Sequence, residues 1–337
     1  MKYIVCESPG NFLFKEKDRP VPGDGEVLID IKRIGICGTD IHAYGGNQAY
    51  FSYPRILGHE LAAEIVDSNG SHKFKNSDKV VPIPYLHCGN CIACNNGKTN
   101  CCKHMRVMGV HVDGGMQETL SVPEEILIPT PHLSFEEMAI VEPLAIAAHA
   151  IRIADVQFGQ TILVMGCGPI GLALMALAKQ QGANVIALDI NQQRLEFAKK
   201  EIGVDKIVIA SSGAVDEVTE YTDTDLCQAV FDATGNKSAL ESGPQYLSHG
   251  GRFVMVGLSK TDLTFNHPAI HAKETTIMCS RNATREDFDH VIDVLSQKKF
   301  PTSSYITHQE KFQNMIGIFD EWIKPDSQVI KAMVSFK

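Results

Sequence analysis

The stretch TILVMGCGPIGLALMALA, residues 161–178, contains no charged residue. Few folds can accommodate such a run. A membrane span needs about 20 consecutive apolar residues, but Gly166, Gly168, Pro169 and Gly171 interrupt this one near its start. A buried strand that turns into a buried helix fits better, with TILVMG as the strand and PIGLALMALAKQQG as the helix. The same texture continues through NVIALD, QQRLEFAKKEIG and KIVIA, and Gly182 and Gly203 fall where helix C-caps belong. AVFDATG and GRFVMVGL read as further buried strands. Strands alternating with helices imply a doubly wound α/β fold, a parallel sheet with helices on both faces.

The interrupting glycines form G-x-G-x-x-G between the strand and the helix, the context in which this motif binds a dinucleotide. Gly166 permits the tight turn, Gly168 lets the backbone approach a pyrophosphate, and Gly171 lets helix and strand pack closely. The helix start, at Pro169 and Ile170, offers free N–H groups to phosphate. Asp189 ends the next strand, eighteen residues after Gly171. A carboxylate there accepts hydrogen bonds from ribose hydroxyls and repels a 2′-phosphate, so NAD is expected over NADP. Arg194 is the nearby cation that softens this preference.

Residues 1–150 read differently, as strands and loops with recurrent Pro and Gly, and EVLIDIKRIGI alternates as a half-buried strand does. The chain has 337 residues, enough for two domains. After residue 280 come helices REDFDHVIDVLSQKK and QNMIGIFDEWIK and a strand, QVIKAMVSF. This tail is too small to stand alone and is expected to pack on the first domain. The boundaries expected are 1–146 with 281–337, and 147–280. A formal net charge of −9 argues against nucleic acid as a partner. The N-terminus lacks a signal-peptide pattern, so the expected location is cytoplasmic, with no membrane association.

Five of the ten cysteines fall within HCGNCIACNNGKTNCC, residues 87–102. In a reducing compartment such clusters bind metal more readily than they form disulfides. Cys88, Cys91 and Cys94, with Cys102 or Cys101 as the fourth, let thiolates converge on one zinc ion in a closed, structural site. Elsewhere, GICGTDIH supplies Cys37, Thr39, Asp40 and His42, ILGHELAAE supplies His59 and Glu60, and VEPLAIAAH places Glu142 in an apolar run. A buried ionised carboxylate needs a partner.

Together the GHE motif, the four-cysteine loop and VMGCGPIGL resemble, in order, the zinc-dependent medium-chain dehydrogenase/reductase family. The resemblance spans essentially the whole chain and is nearest the sorbitol, threonine and sugar-acid dehydrogenase branch. YGGNQAYFSYPRILGHE and KETTIMCSRNAT lean towards its sugar-acid members. It implies a GroES-like catalytic domain joined to a Rossmann domain, two zinc ions per chain and NAD. It also implies that Cys102 is the fourth structural ligand, and that Cys37 and His59 hold a catalytic zinc with Glu60 as third ligand or Glu142 in that role. Asp40 would accept the N–H of His59, Thr39 would take the substrate proton and His42 would pass it to solvent. Thr234 and Gly257 would join the cofactor site. Arg281, Phe51 and Asn47 are candidate substrate contacts, Arg281 as a clamp for a carboxylate.

The expected reaction is hydride transfer between NAD and a secondary alcohol of an L-galactonate-like sugar acid or a polyol, in a cleft between the domains. Zinc at the oxygen makes the alkoxide accessible. The alternatives are L-threonine 3-dehydrogenase-like oxidation of an amino alcohol, or a non-catalytic NAD(H) or zinc sensor. The family also implies a homodimer or homotetramer.

Overall fold

The computed structural model describes residues 1–48, 51–324 and 326–336. The chain divides into two compact units, one of residues 1–142, 284–298 and 302–337, the other of residues 143–283 and 299–301.

The first unit is built on a seven-stranded sheet. Its path runs Ile306–Lys311, Lys331–Ser335, Glu26–Gly35, Glu60–Asp67, Lys79–Pro82 and Leu127–Pro129, and Thr119–Pro123 also pairs with Glu26–Gly35. All neighbours are antiparallel except the first two strands, which run parallel. Strand Glu26–Gly35 is central because Val27, Ile29, Ile31 and Ile34 are all buried, and β-branched side chains suit a pleated, packed surface. They join Leu61, Ile65, Phe312 and Phe319 in one core. A hairpin, Lys2–Ser8 with Asn11–Glu16, and a two-stranded ladder, Tyr85–Leu86 with Arg106–Val107, complete the β structure.

The second unit holds a six-stranded, wholly parallel sheet. Its order is Lys206–Ile209, Asn184–Asp189, Thr161–Met165, Cys227–Asp232, Leu247–Met255 and Thr276–Cys279. Counted along the chain this is 3-2-1-4-5-6, the order of dinucleotide-binding sheets, as the fold class read from the sequence requires. Ile162, Leu163 and Val164 are completely buried, as a strand covered on both faces must be. Helix Pro169–Gln180 follows, and every residue from Gly171 to Ala178 is buried, which is why the stretch could dispense with charge. The helix expected over QQRLEFAKKEIG is α-helical only at Gln192–Phe197, then widens into a π turn over Ala198–Ile202 before Gly203 ends it. Among the described residues no helix is long and apolar enough to cross a membrane.

Candidate metal and cofactor sites

Strand pairing assembles the first site. Gly35, near the end of one strand, lies opposite Glu60, the first residue of the next. Cys37 therefore emerges beside His59 and Glu60, and one ligand atom from each lies within 4.8 Å of the others. Cys37 is the N-cap of helix Gly38–Tyr44. His59 is 5% exposed and Glu60 is fully buried. The Nδ1 of His59 is buried without a hydrogen-bond partner. Burial opposes the charge on this imidazole, yet the Cys37 and Asp40 groups outweigh it and raise its pKa.

Asp40 departs from its expected role. Its Oδ1 lies 3.9 Å from His59 Nδ1, too far for a hydrogen bond. That oxygen accepts from the Gly58 amide at 3.1 Å, and Oδ2 accepts from the Cys37 amide at 3.0 Å. Asp40 thus fixes the backbone on both sides of the site, and burial raises its pKa.

The two glutamates have different partners. Both oxygens of Glu60 lie 2.7 Å from Nζ of Lys331, itself 1% exposed. Glu142 does not join the ligand cluster; its Oε1 accepts from the buried Tyr85 hydroxyl. Burial raises the pKa of Glu142, and burial together with that carboxylate raises that of Tyr85. Sequence reasoning missed both partners. For Lys331 a signal existed, a lysine inside the apolar strand QVIKAMVSF; for Tyr85 there was none.

Thr39 is half-buried in the first turn of helix Gly38–Tyr44, and His42, on its last turn, is exposed with Nδ1 2.9 Å from Asn47 Oδ1. Phe51 stacks edge-on against Tyr53 at 4.8 Å, and both rings pack on the core of the first unit. Arg281 is exposed two residues beyond strand Thr276–Cys279 of the second unit.

The chemistry of the first cluster fits zinc. A soft thiolate, an imidazole and a carboxylate suit a borderline ion, and an orphaned buried imidazole nitrogen is costly without a partner. The cysteine loop fits too. Cys88, Cys91, Cys94 and Cys102 converge, while Cys101 is exposed and outside the cluster. Sulfur separations are 3.5 Å for Cys91–Cys94, 3.5 Å for Cys88–Cys102 and 3.9 Å for Cys91–Cys102. Four thiolates at a Zn–S distance of ~2.3 Å would sit ~3.8 Å apart, the edge of that tetrahedron. Amides of Cys94 and Lys103 bring the Cys91 thiol down to about 6.

The second unit presents the glycine turn. Gly166 has φ +96°, and a Cβ on Gly171 would collide with the Gly166 carbonyl oxygen, so both positions require glycine. Gly168 is the N-cap of helix Pro169–Gln180, with Pro169 at its first position and Ile170 half-buried beside it. Asp189 ends its strand with Oδ2 accepting from the Cys167 amide at 2.5 Å and Oδ1 from the Asn191 amide at 2.8 Å. Nη1 of Arg194 lies 3.8 Å from where a Gly168 Cβ would be. Past the neighbouring strands, Thr234 donates to Asp232 through its hydroxyl at 2.7 Å, and the Gly257 amide donates to the Asp232 carbonyl at 2.9 Å. All these groups stand at the carboxyl ends of parallel strands, where such sheets bind ligands.

Comparison with known proteins converges on one family. Residues 23–132 match the family model of the alcohol dehydrogenase GroES-like domain, and residues 169–297 that of zinc-binding dehydrogenases. L-galactonate-5-dehydrogenase of Escherichia coli K12 is 40% identical over 337 residues, covering 100% of this chain and 99% of its own. A sorbitol dehydrogenase of Halalkalibacterium halodurans is 32% identical over 306 residues, 89% of each chain. A crystal structure described as a short chain alcohol dehydrogenase (rspB) from E. coli CFT073, in complex with NADH, superposes with a TM-score of 0.93. It is 31% identical and covers 100% of this chain and 99% of its own.

Proposed function

This chain belongs to the zinc-type medium-chain dehydrogenases, and on that premise we propose that it oxidises a secondary hydroxyl of a sugar acid of the L-galactonate kind, with NAD as hydride acceptor. The observation that carries the reading is the cluster of half-buried Cys37 with buried His59 and Glu60, one imidazole nitrogen of which is unsatisfied. The relative named L-galactonate-5-dehydrogenase supports the substrate class.

Cys37 and His59 would hold a catalytic zinc, with Glu60 the third donor within reach, and Cys88, Cys91, Cys94 and Cys102 a structural one. Bound at the first of these sites, zinc would supply Lewis-acid charge at the hydroxyl oxygen, and NAD would be the hydride acceptor. Asp40 keeps the Cys37 and Gly58 amides in place, so the thiolate and imidazole need not reorganise. Thr39, two residues from Cys37, is the group to relay the hydroxyl proton, taking it up as its own proton leaves. His42 is exposed on the same short helix and would pass that proton to water. Asn47 holds the His42 ring through Nδ1. In the second unit the glycine turn receives the pyrophosphate and Asp189 the ribose. Amides of Cys167 and Asn191 hold the Asp189 carboxylate oriented.

Thr276–Cys279 is an outer strand of the six-stranded sheet, and we place the contact of a homodimer on this edge, where a second copy adds a strand. The cysteines are all unpaired among the described residues, which suits a reducing cytoplasm.

The test is purified protein with NAD and a panel of L-galactonate, other sugar acids, polyols and L-threonine, read as NADH formation. Preferred turnover of the sugar acid is expected. Selective turnover of L-threonine, or NADH binding with full zinc content and no turnover of any alcohol, overturns the proposal.

A further inference from the structure

Helix Gly38–Tyr44 ends in a cap that the two glycines after it make possible. Gly45 is its C-cap, and Gly46 follows at φ +74°. The Gly46 amide donates to the Ala43 carbonyl at 3.1 Å, and the Asn47 amide reaches back to the His42 carbonyl at 2.9 Å. A left-handed glycine between two such reverse bonds closes a helix, and the residue after it often touches the one whose carbonyl it caps through an apolar contact. Here that pair is Asn47 and His42, and the contact is polar, with Nδ1 2.9 Å from Oδ1. The orientation of the amide has its own cause. Nδ2 of Asn47 lies 3.7 Å from where a Gly45 Cβ would stand, and the Ile41 and His42 carbonyl oxygens lie 3.3 and 3.9 Å from that point. The amino group thus faces the negative, carbonyl end of the helix, which leaves the amide oxygen for the imidazole. The cap is firmly seated. The Gly10 amide donates to the Tyr44 carbonyl at 2.8 Å, the Tyr44 ring stacks on Phe12 at 4.7 Å, and its hydroxyl donates to Asp320 at 2.8 Å.

An amide oxygen has no proton to give, so a hydrogen bond to it places the proton on Nδ1 of His42. From this geometry we infer that Asn47 is a positioning residue for the proton path: it holds His42 as the Nδ1–H tautomer and so reserves Nε2 as the basic nitrogen. The inference deepens the proposed function and rests on the role given there to His42. Asn47, expected from the sequence to touch substrate, acts instead through the imidazole. Thr39 and His42 are three residues apart and therefore share a face of the helix. A proton that reaches Nε2 makes the imidazolium. Nε2–H then passes it to water, and the ring returns to its starting tautomer because the proton on Nδ1 stays with the cap. In the other tautomer Nε2 already carries a proton, and the free lone pair, on Nδ1, is turned towards Asn47.

The test uses the full-length, zinc-loaded protein with isotopically labelled histidine, the His42 signals being assigned by their loss in His42→Gln. Long-range proton–nitrogen spectra are taken at pH ~8.5, well above the ordinary ~6.5 of histidine. They should show Nδ1 protonated and Nε2 bare. Asn47→Leu keeps the capping amide and supplies the apolar side chain such caps favour, but removes the acceptor. Its tautomer ratio should move towards Nε2–H by roughly threefold or more, the effect of one neutral hydrogen bond. Asn47→Asp supplies an acceptor again and should restore the Nδ1–H form. Turnover of the sugar acid should fall in Asn47→Leu by about the factor seen in the tautomer ratio and recover in Asn47→Asp, with NADH affinity unchanged in both. A residue that only closed the helix would move stability and leave the tautomer alone. A protonated Nε2 in the wild type, or an unchanged tautomer in Asn47→Leu, overturns the inference. If Asn47→Leu does not fold, the wild-type tautomer decides. Full turnover in His42→Gln overturns the relay in the proposed function instead, while the spectra still decide the tautomer.

Discussion

Three buried acids surround the thiolate and imidazole, and each answers to a different donor: Asp40 to amides, Glu60 to an ammonium, Glu142 to a phenol. The division follows from where each sits in the chain. Asp40 is three residues after the helix N-cap and closes on its backbone, as capping residues do. Asp40→Ala would strand the buried Gly58 amide, at ~1–3 kcal/mol, and the part-buried Cys37 amide, at less. We expect a loss of ~2–4 kcal/mol in urea unfolding, with the metal still bound. A second prediction concerns acid. Burial works to raise the pKa of Asp205, but Lys179 at 2.8 Å and the Val185 amide at 2.6 Å outweigh it, and the net shift is downward. A carboxyl lowered in the folded state contributes stability that is whole above its unfolded pKa, near ~3.9, and lost as pH falls through the folded value. Asp205→Asn should therefore flatten the acid limb of a stability–pH curve below pH ~4, and leave its alkaline limb unchanged.

Among the elements, the cysteine loop and the glycine turn were legible because their geometry is local. Two- and seven-residue gaps bring four sulfurs together within one loop, and the turn needs only a strand before it and a helix after. The choice between Cys101 and Cys102 was not local. It follows from packing, which buries Cys102 and leaves Cys101 exposed. Metal analysis should find two zinc ions in Cys101→Ser, with activity unchanged, and one in Cys102→Ser. At the turn, Gly171→Ala forces a methyl onto the Gly166 carbonyl. Overpacking of that kind costs ~1–3 kcal/mol, and NADH titrated by fluorescence should bind at least tenfold more weakly. Helix Gln192–Phe197 and its π turn were read as one helix because a hydrophobic pattern does not register which carbonyl an amide chooses.

Across the whole molecule, the sequence disclosed what repeats or clusters and hid what is brought together from afar. The parallel sheet was visible in alternating apolar runs, and the pairing of Cys37 with His59 and Glu60 entered through family resemblance. The expected Asp40–His59 hydrogen bond failed by about an ångström, a margin no spacing rule resolves, and Lys331 joins Glu60 across 271 positions of chain. Binding at the second unit should also stabilise the protein against heat, since a ligand at a hundred times its Kd adds ~2.7 kcal/mol. Calorimetry with NADH should show an upward shift that Gly171→Ala reduces. The unit carrying the metal cluster is discontinuous, with residues 143–283 inserted into it. A ribosome delivers Cys37, His59 and Glu60 early and the strand bearing Lys331 almost three hundred residues later. During translation the nascent acid must wait, hydrated or chaperoned, for its counter-charge, so the nucleotide-binding insert can mature before the chemistry it serves.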